Sequence, residues 1–153
     1  MKLLEILEPR VVKIGLASTD KEDAFEELID LLVRAGRVED RERALDAIYR
    51  REEQRSTGIG KGVAIPHGKD ESIKSITAAA GTSQTGIEFE AIDGEPVYLV
   101  FLVLAERNNP GPHLQALSEI AACLSQPRAY DKLIHAKTPE EFLALLDLPN
   151  EAL

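Results

Sequence analysis

The sequence predicts an α/β fold: a single-domain sandwich whose mixed β-sheet is flanked by helices on both faces. Three observations predict it. The elements run strand, two helices, several strands, then three helices, an order that packs as layers around one sheet. It is not the strict alternation of a doubly wound nucleotide-binding fold. Residues 97–104 (Val-Tyr-Leu-Val-Phe-Leu-Val-Leu) are strand formers without polar alternation, as expected of a central strand covered on both sides. The 153 residues, 44% of them hydrophobic, suffice for one core, so one domain is expected over residues 1–153.

Taken in order, Val12, Ile14 and Leu16 alternate with other residues and predict a first strand. Thr19 followed by Glu22 is a capping-box pattern that starts a helix. Ala24, Phe25, Leu28, Ile29 and Leu32 make its inner face, and Gly36 ends it. Asp40 caps a second helix with Ala44, Leu45, Ile48 and Tyr49 inward. Val63-Ala64-Ile65 is a short buried strand closed by Pro66, with His67 held at its end. Residues 76–82 read as a strand of small residues packed closely against a helix, and Ile87 with Phe89 as a short half-exposed strand. Asp93-Gly94 signals a turn, and residues 107–112 a loop. A third helix is expected from Pro112-His113, with Leu114, Leu117, Ile120, Ala121 and Leu124 inward. Pro127 opens a short helix. Thr138-Pro139-Glu140-Glu141 caps a last one, which Pro149 stops.

Composition excludes several functions. A net charge of −9 disfavours nucleic acid or an anionic membrane as partner and favours a protein with a basic face. The longest apolar run, residues 97–105, is half of what a membrane helix needs, and acids interrupt the short apolar N-terminus, so neither membrane insertion nor a signal peptide is expected. The single cysteine, Cys123, forbids an internal disulfide and fits a reducing cytoplasm. His67, His113 and His135 are scattered without a cysteine pair, so no metal is expected.

The chemistry concentrates in residues 56–69, Ser-Thr-Gly-Ile-Gly-Lys-Gly-Val-Ala-Ile-Pro-His-Gly-Lys. Its glycines fit neither a P-loop nor a dinucleotide fingerprint, because the spacings fail. They could equally form a tight helix-to-strand connection. His67, fixed by Pro66 and uncovered by Gly68, is the candidate nucleophile. If one ring nitrogen donates to a carbonyl, the other is free to attack. Ser56, Thr57, Gly58 and Gly68 can supply a phosphate-binding loop, and Arg51 or Arg55 a guanidinium. Dipole-complementary surface charge is the other reading for these arginines. His113, at a helix start, is either a capping residue or a hydrogen-bond partner of an anion. Structural roles are expected of His135, Cys123, Asp93 and Glu95.

The run Ile59-Gly60-Lys61-Gly62-Val63-Ala64-Ile65-Pro66-His67-Gly68, with Arg51-Glu52 upstream, resembles the phosphorylation-site signature of enzyme IIA components of the bacterial phosphoenolpyruvate-dependent phosphotransferase system. The type is the fructose/mannitol class, which includes the nitrogen-regulatory (PtsN-like) proteins. Residues 89–97 and His113-Leu114-Gln115-Ala116-Leu117 match as well. The resemblance implies that His67 accepts a phosphoryl group from phospho-HPr, or its nitrogen-branch paralogue, on Nε2. It implies that His113 helps hold the group and that Arg51 lies near it. It implies a mixed sheet flanked by helices, no cofactor, and a stand-alone IIA chain in the cytoplasm. The onward partner would be a IIB domain in the transport branch or a regulatory target in the nitrogen branch. A purely regulatory binding module and a domain that no longer accepts phosphate are the alternatives. Pro112 and Lys61 depart from the family's usual small polar residue and Asn.

Overall fold

A computed structural model describes residues 2–147, so the expected stop at Pro149 lies outside the described residues. A short helix α1 (Lys2–Ile6), not anticipated from the sequence, buries Leu3, Ile6 and Leu7 and leads through a 3₁₀ turn into β1 (Val12–Ile14). Helices α2 (Lys21–Arg34) and α3 (Arg41–Gln54) follow. The cap of α2 is Asp20, not Thr19. The Asp20 carboxylate accepts the Asp23 N–H at 2.9 Å, while the Thr19 carbonyl takes Glu88 N–H at 2.8 Å. The expected cap of α3 is as read: Asp40 accepts from Arg43 N–H.

Four strands form where the sequence suggests three. They are β2 (Gly58–Gly60), β3 (Val63–Ala64), β4 (His67–Asp70) and β5 (Thr77–Ile87), before the long β6 (Val97–Glu106). The order is β1-β5-β6-β3-β2, with β4 also beside β6. The β5–β6 and β2–β3 pairs are antiparallel and the others parallel, which makes the sheet mixed as expected. Ile87 does not belong to a separate strand. It ends β5 after an irregularity at which Ser83 Oγ accepts Gly86 N–H and Gly86 turns to φ +93°.

His67 also sits differently from the expectation: it opens a strand instead of closing one. β3 and β4 flank Pro66 and run parallel to β6 in one unbroken register, Val63 opposite Leu99, Ala64 opposite Val100, then His67 opposite Val103. The Pro66 carbonyl still accepts Val103 N–H at 2.9 Å. Proline lacks the N–H for a full ladder, so the strand beside β6 is split, and the histidine stands at the split.

Helices α4 (Pro110–Leu124), α5 (Ala129–Ile134) and α6 (Pro139–Leu146) complete the chain. α4 starts at Pro110, two residues before the expected start. Prolines are tolerated throughout a first turn, whose N–H groups have no helical partner, so Pro112 falls inside the helix. Thr138 caps α6 by accepting Glu141 N–H, as read. α2 and α3 pack together against β5 and β4, while α4 and α5 pack against β6. β6 lies between them with residues 99–104 wholly buried. Adjacent residues of β4 mark the two faces. The His67 ring meets His113 of α4, and Gly68 backs onto Ala47 of α3.

Candidate active site

The split strand orients His67. Ile65 N–H donates to the Thr57 carbonyl at 3.0 Å, and the Ile65 carbonyl lies 2.7 Å from His67 Nδ1. A carbonyl can only accept, so Nδ1 carries the proton and Nε2 keeps its lone pair. Burial lowers the His67 pKa below the ordinary 6.5. The Ile65 carbonyl and Glu52 pull the other way, and the charges of Arg51 and Lys69 reinforce the lowering. The half-buried ring is therefore a neutral nucleophile at neutral pH.

His113 lies in the first turn of α4, 3% exposed, with its ring centroid 5.4 Å from that of His67. Its Nδ1 is buried without a hydrogen-bond partner. An N–H there would be orphaned, so the proton belongs on Nε2, the atom able to donate into the cleft that His113 lines. Burial, with smaller contributions from His67 and Lys69, pushes its pKa down to about 4. Two neutral imidazoles thus face each other, one offering a lone pair and the other an N–H.

Arg51, in the last turn of α3, donates from Nη1 to the Arg55 carbonyl at 2.9 Å. That bond fixes the guanidinium over the helix end and leaves its other N–H groups available. Two clefts meet at His67. One, of ≈ 490 Å³ between α3 and α4, is lined by Arg50, Arg51, Gly68, Lys69 and His113. The other, of ≈ 360 Å³, is lined by Arg51, Arg55, Ser56, Thr57, Ile59 and Ile92. Both include His67, Arg51 and Leu117.

The loop ahead of the histidine is near the site, but its donors are taken. Ser56 Oγ–H donates to the Phe89 carbonyl, and Gly58 N–H donates to Ser56 Oγ. The N–H and hydroxyl of Thr57 both donate to the buried Glu52 carboxylate. Ser56 and Thr57 therefore line the second cleft, and these two and Gly58 do not offer the free donors to a phosphoryl group that the sequence had suggested. Gly68 has a different use from the one expected: a Cβ there would lie 2.9 Å from the backbone of Ala47, on the face away from the His67 ring. Asp93 is structural as expected, with its carboxylate accepting Lys61 and Glu95 N–H groups. His135, just past the end of α5, has its Nδ1 2.7 Å from the Asp131 carbonyl. Cys123 is half-buried, and burial pushes its thiol pKa up. Among the described residues no group of three or more His, Cys, Asp or Glu side chains could hold a metal ion.

Two features escaped the sequence reading. Lys69 lines the cleft one position beyond Gly68. Ile59, Ile92 and Leu114, 53%, 62% and 61% exposed, are large apolar side chains in solvent around the site. The only sequence signal for Ile59 is an isoleucine among glycines, and Leu114 looks like a core residue because it shares the helical period of one.

Comparison with known proteins agrees with this geometry. The sequence profile described as phosphoenolpyruvate-dependent sugar phosphotransferase system, EIIA 2, matches residues 5–148. The chain is 41% identical over 120 residues to the fructose-specific EIIA component of Haloferax volcanii, which covers 78% of each protein. It is 36% identical over 151 residues to the fructose-specific EIIABC component of Bacillus subtilis. That match covers 99% of this chain but 23% of the relative. The crystal structure of nitrogen regulatory protein IIA-Ntr from Neisseria meningitidis superimposes with a TM-score of 0.88 at 34% identity, over 95% of this chain and 99% of that one. Fold and sequence lead to one assignment: the chain belongs to the EIIA type 2 family of the phosphoenolpyruvate-dependent sugar phosphotransferase system.

Proposed function

We propose that this chain, as one EIIA domain over residues 1–153, is a phosphocarrier that accepts a phosphoryl group on His67 Nε2 from a phosphohistidine donor of the HPr type. The observation that carries the reading is the 2.7 Å contact of His67 Nδ1 with the Ile65 carbonyl, which leaves Nε2 as the lone-pair nitrogen. In the transfer, the N–P bond to the donor breaks as a new N–P bond forms at Nε2. His67 loses no proton, because its N–H stays on Nδ1. His113 Nε2–H and the Arg51 guanidinium are the groups suited to the charge on the equatorial oxygens. The partner is a protein: exposed Ile59, Ile92 and Leu114 rim the site as apolar contacts do in protein interfaces. No cofactor or metal enters this step. The cytoplasm is the proposed compartment. Among the described residues no helix is long and apolar enough to cross a membrane.

For the outlet there are two readings. A IIB acceptor is supported by the fructose-specific relatives, one of which carries A, B and C components in a single chain by name. A regulatory switch, in which the added charge at His67 alters a docking face, is supported by the similarity to IIA-Ntr. Incubation with phosphoenolpyruvate and the general phosphotransferase proteins should give an acid-labile phosphoprotein, and His67→Ala should give none. Full labelling of that variant would dismiss His67 as the acceptor. Capture of a IIB domain would support transport. Capture of a kinase or ion transporter only in one phosphorylation state would support regulation.

A further inference from the structure

Glu52 follows Arg51 on α3 and is buried, an unusual position for a carboxylate unless it has partners. Its oxygens take the Thr57 backbone N–H at 3.2 and 3.1 Å and the Thr57 hydroxyl at 2.6 Å. The Lys21 ammonium, 3.5 Å away on α2, is its counter-charge and also pairs with Glu90 at 3.0 Å. Thr57, held at both its N–H and its hydroxyl, turns its carbonyl to the Ile65 N–H at 3.0 Å. The Ile65 carbonyl in turn receives His67 Nδ1–H at 2.7 Å. The series therefore runs from a buried charge on one helix, through the loop, to the ring at the split in the strand beside β6.

We propose that Glu52 is a positioning residue: acting through Thr57 and Ile65, it holds the His67 ring in the Nδ1–H tautomer, so that Nε2 faces the clefts as the reactive atom. A carboxylate suits this task because it is acceptor-only when ionised, and Thr57 presents two donors to it. An apolar side chain would leave both donors buried and unpaired, so the loop would shift to satisfy them. The inference rests on the reading of His67 as phosphoryl acceptor for its consequence on rate, but the tautomer itself can be observed without any transfer. The charged and titratable groups facing His67 are Arg51 and Glu52 from α3, Lys69 from β4 and His113 from α4. Arg51 and Lys69 favour the neutral ring and Glu52 opposes them. Removing only the Glu52 charge should therefore move the His67 titration to lower pH.

The test combines nitrogen-detected NMR of the His67 ring with the rate of phosphoryl acceptance as a function of pH, both on the full chain. The variants are Glu52→Gln, Glu52→Ala and Thr57→Val. The wild type should show a single Nδ1–H tautomer. Glu52→Ala should show a mixture and accept the phosphoryl group on the order of tenfold more slowly, the scale of a misplaced reacting group. Glu52→Gln should keep the tautomer and most of the rate, with its acid limb shifted to lower pH. Thr57→Val, which keeps the N–H but loses the hydroxyl, should fall between. A wild-type tautomer and rate in Glu52→Ala would overturn the proposal. If Glu52→Ala does not fold, the other two variants decide: an unmoved titration in Glu52→Gln together with an unmoved tautomer ratio in Thr57→Val overturns it. A wild type that accepts no phosphoryl group while the NMR series behaves as expected would remove the phosphocarrier reading and leave the positioning role intact.

Discussion

His67 and His113 carry the same side chain, and their surroundings give their ring nitrogens opposite hydrogen-bonding patterns. His67 has a carbonyl at Nδ1 and keeps its lone pair on Nε2. His113 has nothing at Nδ1 and keeps its proton on Nε2. Burial holds both below the ordinary imidazole pKa, His113 at about 4, so neither is cationic at neutral pH. A phosphoryl group on His67 would place a dianion beside the His113 N–H and strengthen that bond. His113→Ala should therefore still be labelled by the charged donor, but hold and pass on the phosphoryl group differently, by on the order of tenfold in either direction. The check is to time both the forward and the reverse transfer. Identical rates in wild type and variant would show that His113 takes no part.

At the scale of the element, the split strand depends on a close approach between β4 and α3. Gly68 lies where an added Cβ would come within 2.9 Å of the Ala47 carbonyl carbon and oxygen and 3.1 Å of its Cβ. Backbone atoms of a helix cannot swing aside as the end of a flexible side chain can. Gly68→Ala should therefore push the strand and helix apart and cost about 1–3 kcal/mol, the usual range for overpacking. A urea titration of the variant against wild type checks this, and an unchanged midpoint would mean that the helix yields freely. Two residues on, the buried Asp70 anchors the same strand. Ser72 and Arg43 hydrogen-bond its carboxylate, with Arg50 and Arg107 within 3.7 Å. Burial alone would raise its pKa, and these partners outweigh it and hold the pKa low. The end of β4 that follows the histidine is thus tied to α3 and to the loops after β4 and β6.

At the scale of the whole molecule, the chain carries a net charge of −9, yet Arg50, Arg51, Arg55 and Lys69 gather at the clefts. The acidic excess lies elsewhere and makes folding sensitive to acid at particular residues. Glu27 is partly buried, and that burial opposes its ionisation. The N–H groups of Ala17 and Ser18, the Ser18 hydroxyl and Lys13 together overcome this and bring its pKa from 4.5 to about 2. Because the folded pKa is below the unfolded one, its contribution is complete above about pH 4.5 and is lost as pH falls toward 2. The amount is on the order of 2–3 kcal/mol. His113, neutral when folded, adds a loss of the same sign that begins below about pH 6.5 and continues through about 4. Denaturation midpoints measured from pH 7 to pH 3 should fall in both windows. Glu27→Gln should lower the midpoint at pH 7 and flatten its dependence on pH below about 4.5. A variant that kept the full acid slope would assign that slope to other groups.

The layered α/β class, the central β6, the inner faces of α2 and α3 and the cap residues Asp40 and Thr138 are legible in the sequence. Each rests on local periodicity or on a side chain within three residues of its partner. The prominence of residues 56–69, and of His67 within them, is legible for the same reason. The chain order does not contain what depends on distant partners. Thr19 gives up the cap of α2 because its carbonyl bonds Glu88. The donors of Ser56 and Thr57 look free in sequence and are taken by Phe89 and Glu52. Gly68, beside the histidine in sequence, is needed by a helix on the opposite face of the sheet. That the His113 ring meets the His67 ring, and that His113 Nδ1 is buried without a partner, was decided only when α4 packed across the split strand. Hydrogen bonds and burial are set by neighbours in space, and Thr19 and Glu88, Ser56 and Phe89, Gly68 and Ala47, and His67 and His113 lie tens of residues apart in the chain.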